Sequence, residues 1–100
     1  MQSKIYNFQH YFESENLELY VTLESILTKL LNDSGFTILD ISKHKFKPIG
    51  FTCIWLLGES HFAIHTFPEE CIAYVELSSC VKKPFDLFVL NYLQKFNDGV

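Results

Sequence analysis

A glutamate, a serine and two histidines follow directly on the most hydrophobic run of this 100-residue chain, and a cysteine lies twenty positions beyond the serine. The run is FTCIWLL, residues 51–57. The polar group is Glu59, Ser60, His61 and His65, and the cysteine is Cys80. These residue types allow three readings. Ser60 or Cys80 can act as a nucleophile activated by a histidine. His61 and His65, with a cysteine or glutamate, can hold a metal. Or strand ends simply carry polar side chains with a structural role. His-x-x-x-His places two imidazoles on one helical face, but FAIHTF is strand-like and no motif supplies a third ligand. There is no G-x-S-x-G elbow, and the chain is short for a hydrolase fold.

The elements around these residues must position them. Residues 4–12 alternate roughly and are rich in aromatics, which reads as a strand. Ser14 or Asn16 then offers a helix N-cap, with Glu15 and Glu18 where a helix start favours negative charge. Leu19, Leu23, Ile26, Leu27 and Leu30 form an amphipathic stripe of about four turns, and Gly35 is a natural stop. Residues 36–46 read as a second strand, punctuated by Pro48 and Gly50. The continuous apolar run 51–57 reads as a central strand, and Gly58 precedes a sharp change of direction. Residues 61–66 and 71–77 read as two further strands, joined by a turn holding Pro68. Pro84 opens a second helix in its first turn. Phe85, Phe88, Val89, Tyr92, Leu93 and Phe96 make its buried stripe, and Gly99 ends it.

The order β-α-β-β-β-β-α fits an α+β two-layer sandwich: a mostly antiparallel sheet with both helices on one face. Ser60 and His65 are five residues apart, so a flat strand puts them on opposite faces. For both to meet, the chain must bend near Ser60, and Gly58 with a strained Glu59–Ser60 junction would supply the bend.

The totals narrow the classes. One hundred residues make a single domain, residues 1–100, with no internal repeat or linker. Ten Phe and 48% hydrophobic residues are much for so small a core, which points to a homodimer that buries the surplus. A net charge of −4 argues against a nucleic-acid partner. No apolar segment approaches the ~20 residues of a membrane helix, and no signal peptide is evident. Three cysteines without paired spacing argue against a disulfide framework and for a cytoplasmic location. Cys53 and Cys71 read as small buried hydrophobes.

GESHFAIHTFPE, residues 58–69, closely resembles the signature of the S-adenosylmethionine decarboxylase proenzyme family. There a Glu-Ser-His run is followed by Ile-His-Thr, an aromatic, Pro and Glu, and a catalytic Cys lies twenty positions after the Ser. Cys80 holds that place. The preceding stretch, with Ser-Gly-x-Thr, His-basic-Phe and Pro-x-Gly, is similar too, and the resemblance runs from about His10 to Phe96. It implies a proenzyme that cuts itself between Glu59 and Ser60, into a β chain 1–59 and an α chain 60–100. Ser60 Oγ would attack the Glu59 carbonyl to give an ester. His65 would then take the Ser60 Cα proton, and a pyruvoyl group would remain at the new N-terminus. That group, self-generated from Ser60, would form a Schiff base with S-adenosylmethionine and serve as electron sink. Cys80 would reprotonate the product carbon. The implied pathway is spermidine biosynthesis, with no metal and no external cofactor. Phe46 matches the aromatic that stacks on adenine, Glu69 the acid that binds the ribose, and Thr52 a hydroxyl residue that assists processing. His61 matches a motif histidine of open role.

The chain departs from the pattern in three places. Val81 replaces a Gly after Cys80, Phe67 stands where a larger or hydroxylated aromatic is common, and the chain stops soon after the second helix. Two alternatives follow: a decarboxylase of ornithine or arginine on the same scaffold, or a processing-dead homologue that binds or regulates a partner.

Overall fold

The computed structural model describes residues 4–15, 17 and 20–96. Strand β1 (Tyr6–Glu13) leads to helix α1 (Tyr20–Asp33). Strands β2 (Ile38–Lys45), β3 (Phe51–Leu57) and β4 (Ser60–Phe67) follow. A short 3-10 turn, Pro68–Glu70, precedes β5 (Ile72–Ser79), and helix α2 (Lys82–Phe96) closes the described chain. The strands form one antiparallel sheet in the order β1-β5-β4-β3-β2.

Period-two alternation decides the faces. Phe51, Cys53, Trp55 and Leu57 of β3, Phe62 and Ile64 of β4, and Ala73, Val75 and Leu77 of β5 all point to the core face. Both helices cover that face. From α1, Leu23, Leu27 and Leu31 are buried, and Thr28 accepts a hydrogen bond from Trp55 Nε1 at 2.9 Å. From α2, Phe88 packs edge-on against Phe62, and Tyr92 pairs with His10 of β1. The expected two-layer α+β sandwich is the architecture observed. Leu27 is fully buried in the middle of the core. Leu27→Ala should therefore destabilise the fold by about 2–5 kcal/mol, read as a lowered urea midpoint; a loss below 1 kcal/mol would deny it that place.

Some details differ from the reading of the sequence. Helix α1 begins at Tyr20, later than a Ser14 cap implies, because Ser14 still extends the ladder through Ser14 N–H to Cys71 O at 3.0 Å. Asn16, Glu18, Leu19 and Gly99 lie outside the described residues. The helix ends as expected. Gly35 takes φ +103, Phe36 N–H reaches Leu31 O and Gly35 N–H reaches Asn32 O, a Schellman stop that needs a residue tolerant of positive φ. Pro84 is the third residue of α2, within its first turn as expected. The apolar run β3 is an interior strand, as expected, paired with β2 on one side and β4 on the other. That run is apolar on both faces, but only one is covered: Ile54 is 43% and Leu56 51% exposed on the other. Cys53 is buried, and burial pushes its thiol pKa up to about 12. Cys71 is exposed in a left-handed turn, so the buried reading fails for it. All three cysteines are free. Among the described residues, no helix is long and apolar enough to cross a membrane.

Candidate active site

The residues singled out by type and spacing fall into two groups at opposite ends of β4. At its N-terminal end, Leu57 pairs with Ser60 across a two-residue turn, Gly58–Glu59. Hairpin turns this tight demand positive φ, and here Glu59 bears it, at φ 58. For a residue with a Cβ that conformation costs about 1–2 kcal/mol. The peptide bond between Glu59 and Ser60 is thus next to the strained residue. Ser60 is 9% exposed on the core face, and its hydroxyl donates to Ser79 Oγ at 2.7 Å. Cys80 follows Ser79, which pairs directly with Ser60 across the β4–β5 ladder. The Cys80 thiol lies 3.5 Å from Glu59 O and 3.7 Å from Glu59 Oε1. Its single hydrogen serves one of these at a time. Glu59, Ser60 and Cys80 therefore form one cluster: an oxygen nucleophile, the carbonyl beside it and a weak donor to that carbonyl.

Val81 does not leave the Cys80 loop loose. It packs against the core, its N–H donates to Ser79 Oγ at 3.0 Å, and its carbonyl accepts from Phe85 N–H at the start of α2.

The second group sits at the other end of the same strand. His65 pairs across the sheet with Thr52 on one side and Tyr74 on the other. His65 Nδ1 and Thr52 Oγ1 are hydrogen bonded at 2.9 Å, and the His65 and Tyr74 rings stack at 6.2 Å. Tyr74 donates to Glu76 Oε1 at 2.7 Å, which raises its pKa to about 12 and keeps it a neutral phenol. A cavity of about 340 Å³ is lined by Phe46, Ile49, Gly50, Thr52, His65 and Glu69, among others. Phe46 is half exposed at its wall rather than in the core. Gly50, at φ +100, lies where a Cβ would come within 3.3 Å of Thr66 O, so backbone closes that side of the cavity tightly.

The strand does not bend to unite the two groups. From Ser60 to Phe67 it is continuous, with Ser60 on the core face and His65 on the opposite one. Five residues of strand separate them by about 16 Å. Within one chain, then, Ser60 and Cys80 share a site, and Phe46, Thr52, His65 and Glu69 share a second. His61 is exposed on the same face as His65, four residues nearer Ser60 and directly after it. Among the described residues no three metal-capable side chains cluster. Two residues escaped the reading of the sequence. Ser79 was hidden because its role depends on the β4–β5 register, and Tyr74 because it faces His65 only across the sheet.

A family model for S-adenosylmethionine decarboxylase matches residues 4–97, nearly the whole described chain. The chain belongs to that family. A Methanococcus maripaludis S-adenosylmethionine decarboxylase proenzyme is 31% identical over 84 residues, which cover 84% of this chain and 69% of that protein. S-adenosylmethionine decarboxylase proenzyme 2 of Bacillus cereus is 41% identical over 58 residues, 58% of this chain and 47% of that protein. The aligned part is thus about half the length of the Bacillus relative. The crystal structure of the adenosylmethionine decarboxylase from Aquifex aeolicus superposes with a TM-score of 0.81 at 18% identity, covering 97% of this chain and 83% of that one. It shares the fold. The family is the one that GESHFAIHTFPE and the spacing to Cys80 indicate, and both groups of site residues fall inside the matched region.

Proposed function

We propose that this chain is the proenzyme of a pyruvoyl-dependent S-adenosylmethionine decarboxylase, cleaved between Glu59 and Ser60. The observation that carries the reading is the Glu59–Ser60–Cys80 cluster: a buried serine hydroxyl beside a strained residue whose carbonyl is in reach of a thiol. Attack of Ser60 Oγ on the Glu59 carbonyl carbon breaks the peptide bond and leaves an ester and an amine. The tetrahedral oxyanion formed on the way would sit where the Cys80 thiol can donate. Relief of the left-handed Glu59 conformation favours the forward direction. Removal of the Ser60 Cα proton then expels the Glu59 carboxylate, and hydrolysis of the resulting dehydroalanine releases ammonia and leaves the pyruvoyl group on residue 60. Once formed, that group supplies the electron sink for loss of carbon dioxide.

His65 of the same chain is about 16 Å from Ser60 along β4, so in this reading the base for the second step is His65 of a second copy. The face that carries His65 and Thr52 also exposes Ile54, Leu56, Tyr11 and Phe67, an apolar sheet surface that no helix of the described chain covers. Two such faces packed ~10 Å apart about a twofold axis that crosses the strands would set the His65 end of one copy against the Ser60 end of the other. The active unit in this reading is a homodimer. Each site takes Ser60 and Cys80 from one chain and Thr52, His65, Phe46 and Glu69 from its partner, the last two lining the substrate cavity.

Denaturing mass spectrometry of the purified protein tests the reading. Two fragments, 1–59 and a 60–100 piece with a pyruvoyl terminus, are expected. A chain that stays whole points instead to a processing-dead homologue. Carbon dioxide release should be fastest with S-adenosylmethionine; release from ornithine or arginine alone would overturn the substrate assignment.

A further inference from the structure

Ser79 lies outside the signature run GESHFAIHTFPE, yet its hydroxyl is hydrogen bonded to that of Ser60. Ser60 Oγ–H donates to Ser79 Oγ at 2.7 Å, and both hydroxyls are buried. Val81 N–H donates to the same oxygen at 3.0 Å, while the Ser79 hydroxyl hydrogen points to Val81 O at 3.4 Å. A serine hydroxyl has one hydrogen and two lone pairs. The Ser79 hydroxyl has thus used all three, and its orientation is set from the first residues before α2.

A serine side chain can occupy three staggered positions. One hydrogen bond to a fixed acceptor selects one of them for Ser60 and commits its hydrogen. Among the described residues no group donates to Ser60 Oγ, so its lone pairs are uncommitted. We propose that Ser79 is the positioning residue for processing, holding the Ser60 hydroxyl in one rotamer with its oxygen free to attack the Glu59 carbonyl. This rests on the self-cleavage reading above and adds a residue to it. The step it prepares balances within the chain. The Ser60 Oγ–Glu59 C bond forms, the Glu59 C–Ser60 N bond breaks, and the hydroxyl proton ends on the freed amine. Without the Ser79 acceptor, the Ser60 hydroxyl is buried without a partner and rotates among its alternatives. A misplacement of that kind costs on the order of 10²-fold in rate.

The test compares Ser79→Thr with Ser79→Val, which differ by a hydroxyl against a methyl on the same branched frame. Cleavage of freshly made chain is followed by denaturing mass spectrometry, with thermal melting to verify folding. Ser79→Thr should cut at close to the wild-type rate and Ser79→Val on the order of 10²-fold more slowly. Should the valine variant fail to fold, Ser79→Ala gives the same contrast. The uncut Ser79→Val chain should also resist hydroxylamine, because the block precedes the ester. Cleavage of Ser79→Val at the wild-type rate, a threonine variant as slow as the valine one, or a hydroxylamine-labile Ser79→Val chain would each overturn the role of Ser79 alone. A wild-type chain that is never cut overturns the self-cleavage reading and this inference together.

Discussion

Ser60→Ala and His65→Ala chains, each inert to cleavage alone, should yield cut protein when produced together, and only the His65→Ala chain should be cut. The argument is geometric. Ser60 and His65 lie at opposite ends and on opposite faces of β4, so neither serves the other within one chain. In a mixed dimer one site combines both defects. The other combines an intact Ser60, from the His65→Ala chain, with an intact His65 from its partner. Ser60→Ala lacks the nucleophile and should remain whole under every condition. His65→Ala alone should stop at the ester, since a general base contributes about 10²–10⁴-fold, and hydroxylamine should then split the chain. Mass spectrometry reads which variant is cut, because the two differ in mass. If the mixture stays whole while wild type is processed, the shared site is wrong. If His65→Ala is cut unaided at the wild-type rate, His65 is not the base.

The second large effect is expected at Cys80. Its thiol faces the Glu59 carbonyl at 3.5 Å, next to the serine that would become the pyruvoyl group. Two jobs follow from one position. In the proposed reading it would be a weak donor to the carbonyl under attack before cleavage and an acid beside residue 60 after it. Cys80→Ala should therefore process slowly but completely, because the strained Glu59 turn and the Ser60 hydroxyl remain. The fully cut variant should then lose about 10²–10⁴-fold in kcat for carbon dioxide release, with KM little changed. Assaying only completely cut protein separates the two jobs. Undiminished kcat in that material would refute the proton-donor role.

Cys53 and Cys71 make useful contrasts. Cys53 is sealed in the core, where burial pushes its thiol up to about 12, so it is present as an inert thiol at neutral pH. Cys71 is exposed, but in the left-handed turn before β5 at the far end of that strand from Cys80. Neither faces the Glu59 carbonyl among the contacts described. Of three chemically identical side chains, only the one at the C-terminal end of β5 lies beside Glu59.

Much of this was legible in the residues alone, for a local reason. Alternation, helical stripes and the stops at Gly35 and Pro68 depend on neighbours a few positions away, so the order of elements and the two-layer class follow from the chain itself. The family signature is equally local, twelve consecutive residues and a spacing, and it marks Ser60, His65 and Cys80 without any fold. What the chain could not disclose is which residues meet across strands. Pairing of β4 with β5 puts Ser79 opposite Ser60 and Tyr74 opposite His65, and such register is a tertiary fact. The same holds for the faces of β3. FTCIWLL is apolar on both and is an interior strand, as expected, but nothing local distinguishes the face covered by helices from the one left exposed. Most of all, strand continuity through residues 60–67 kept Ser60 and His65 apart. Side chains five positions apart on an unbroken strand point to opposite sides of the sheet, so only the tertiary structure could divide one sequence motif between two faces and two ends of β4.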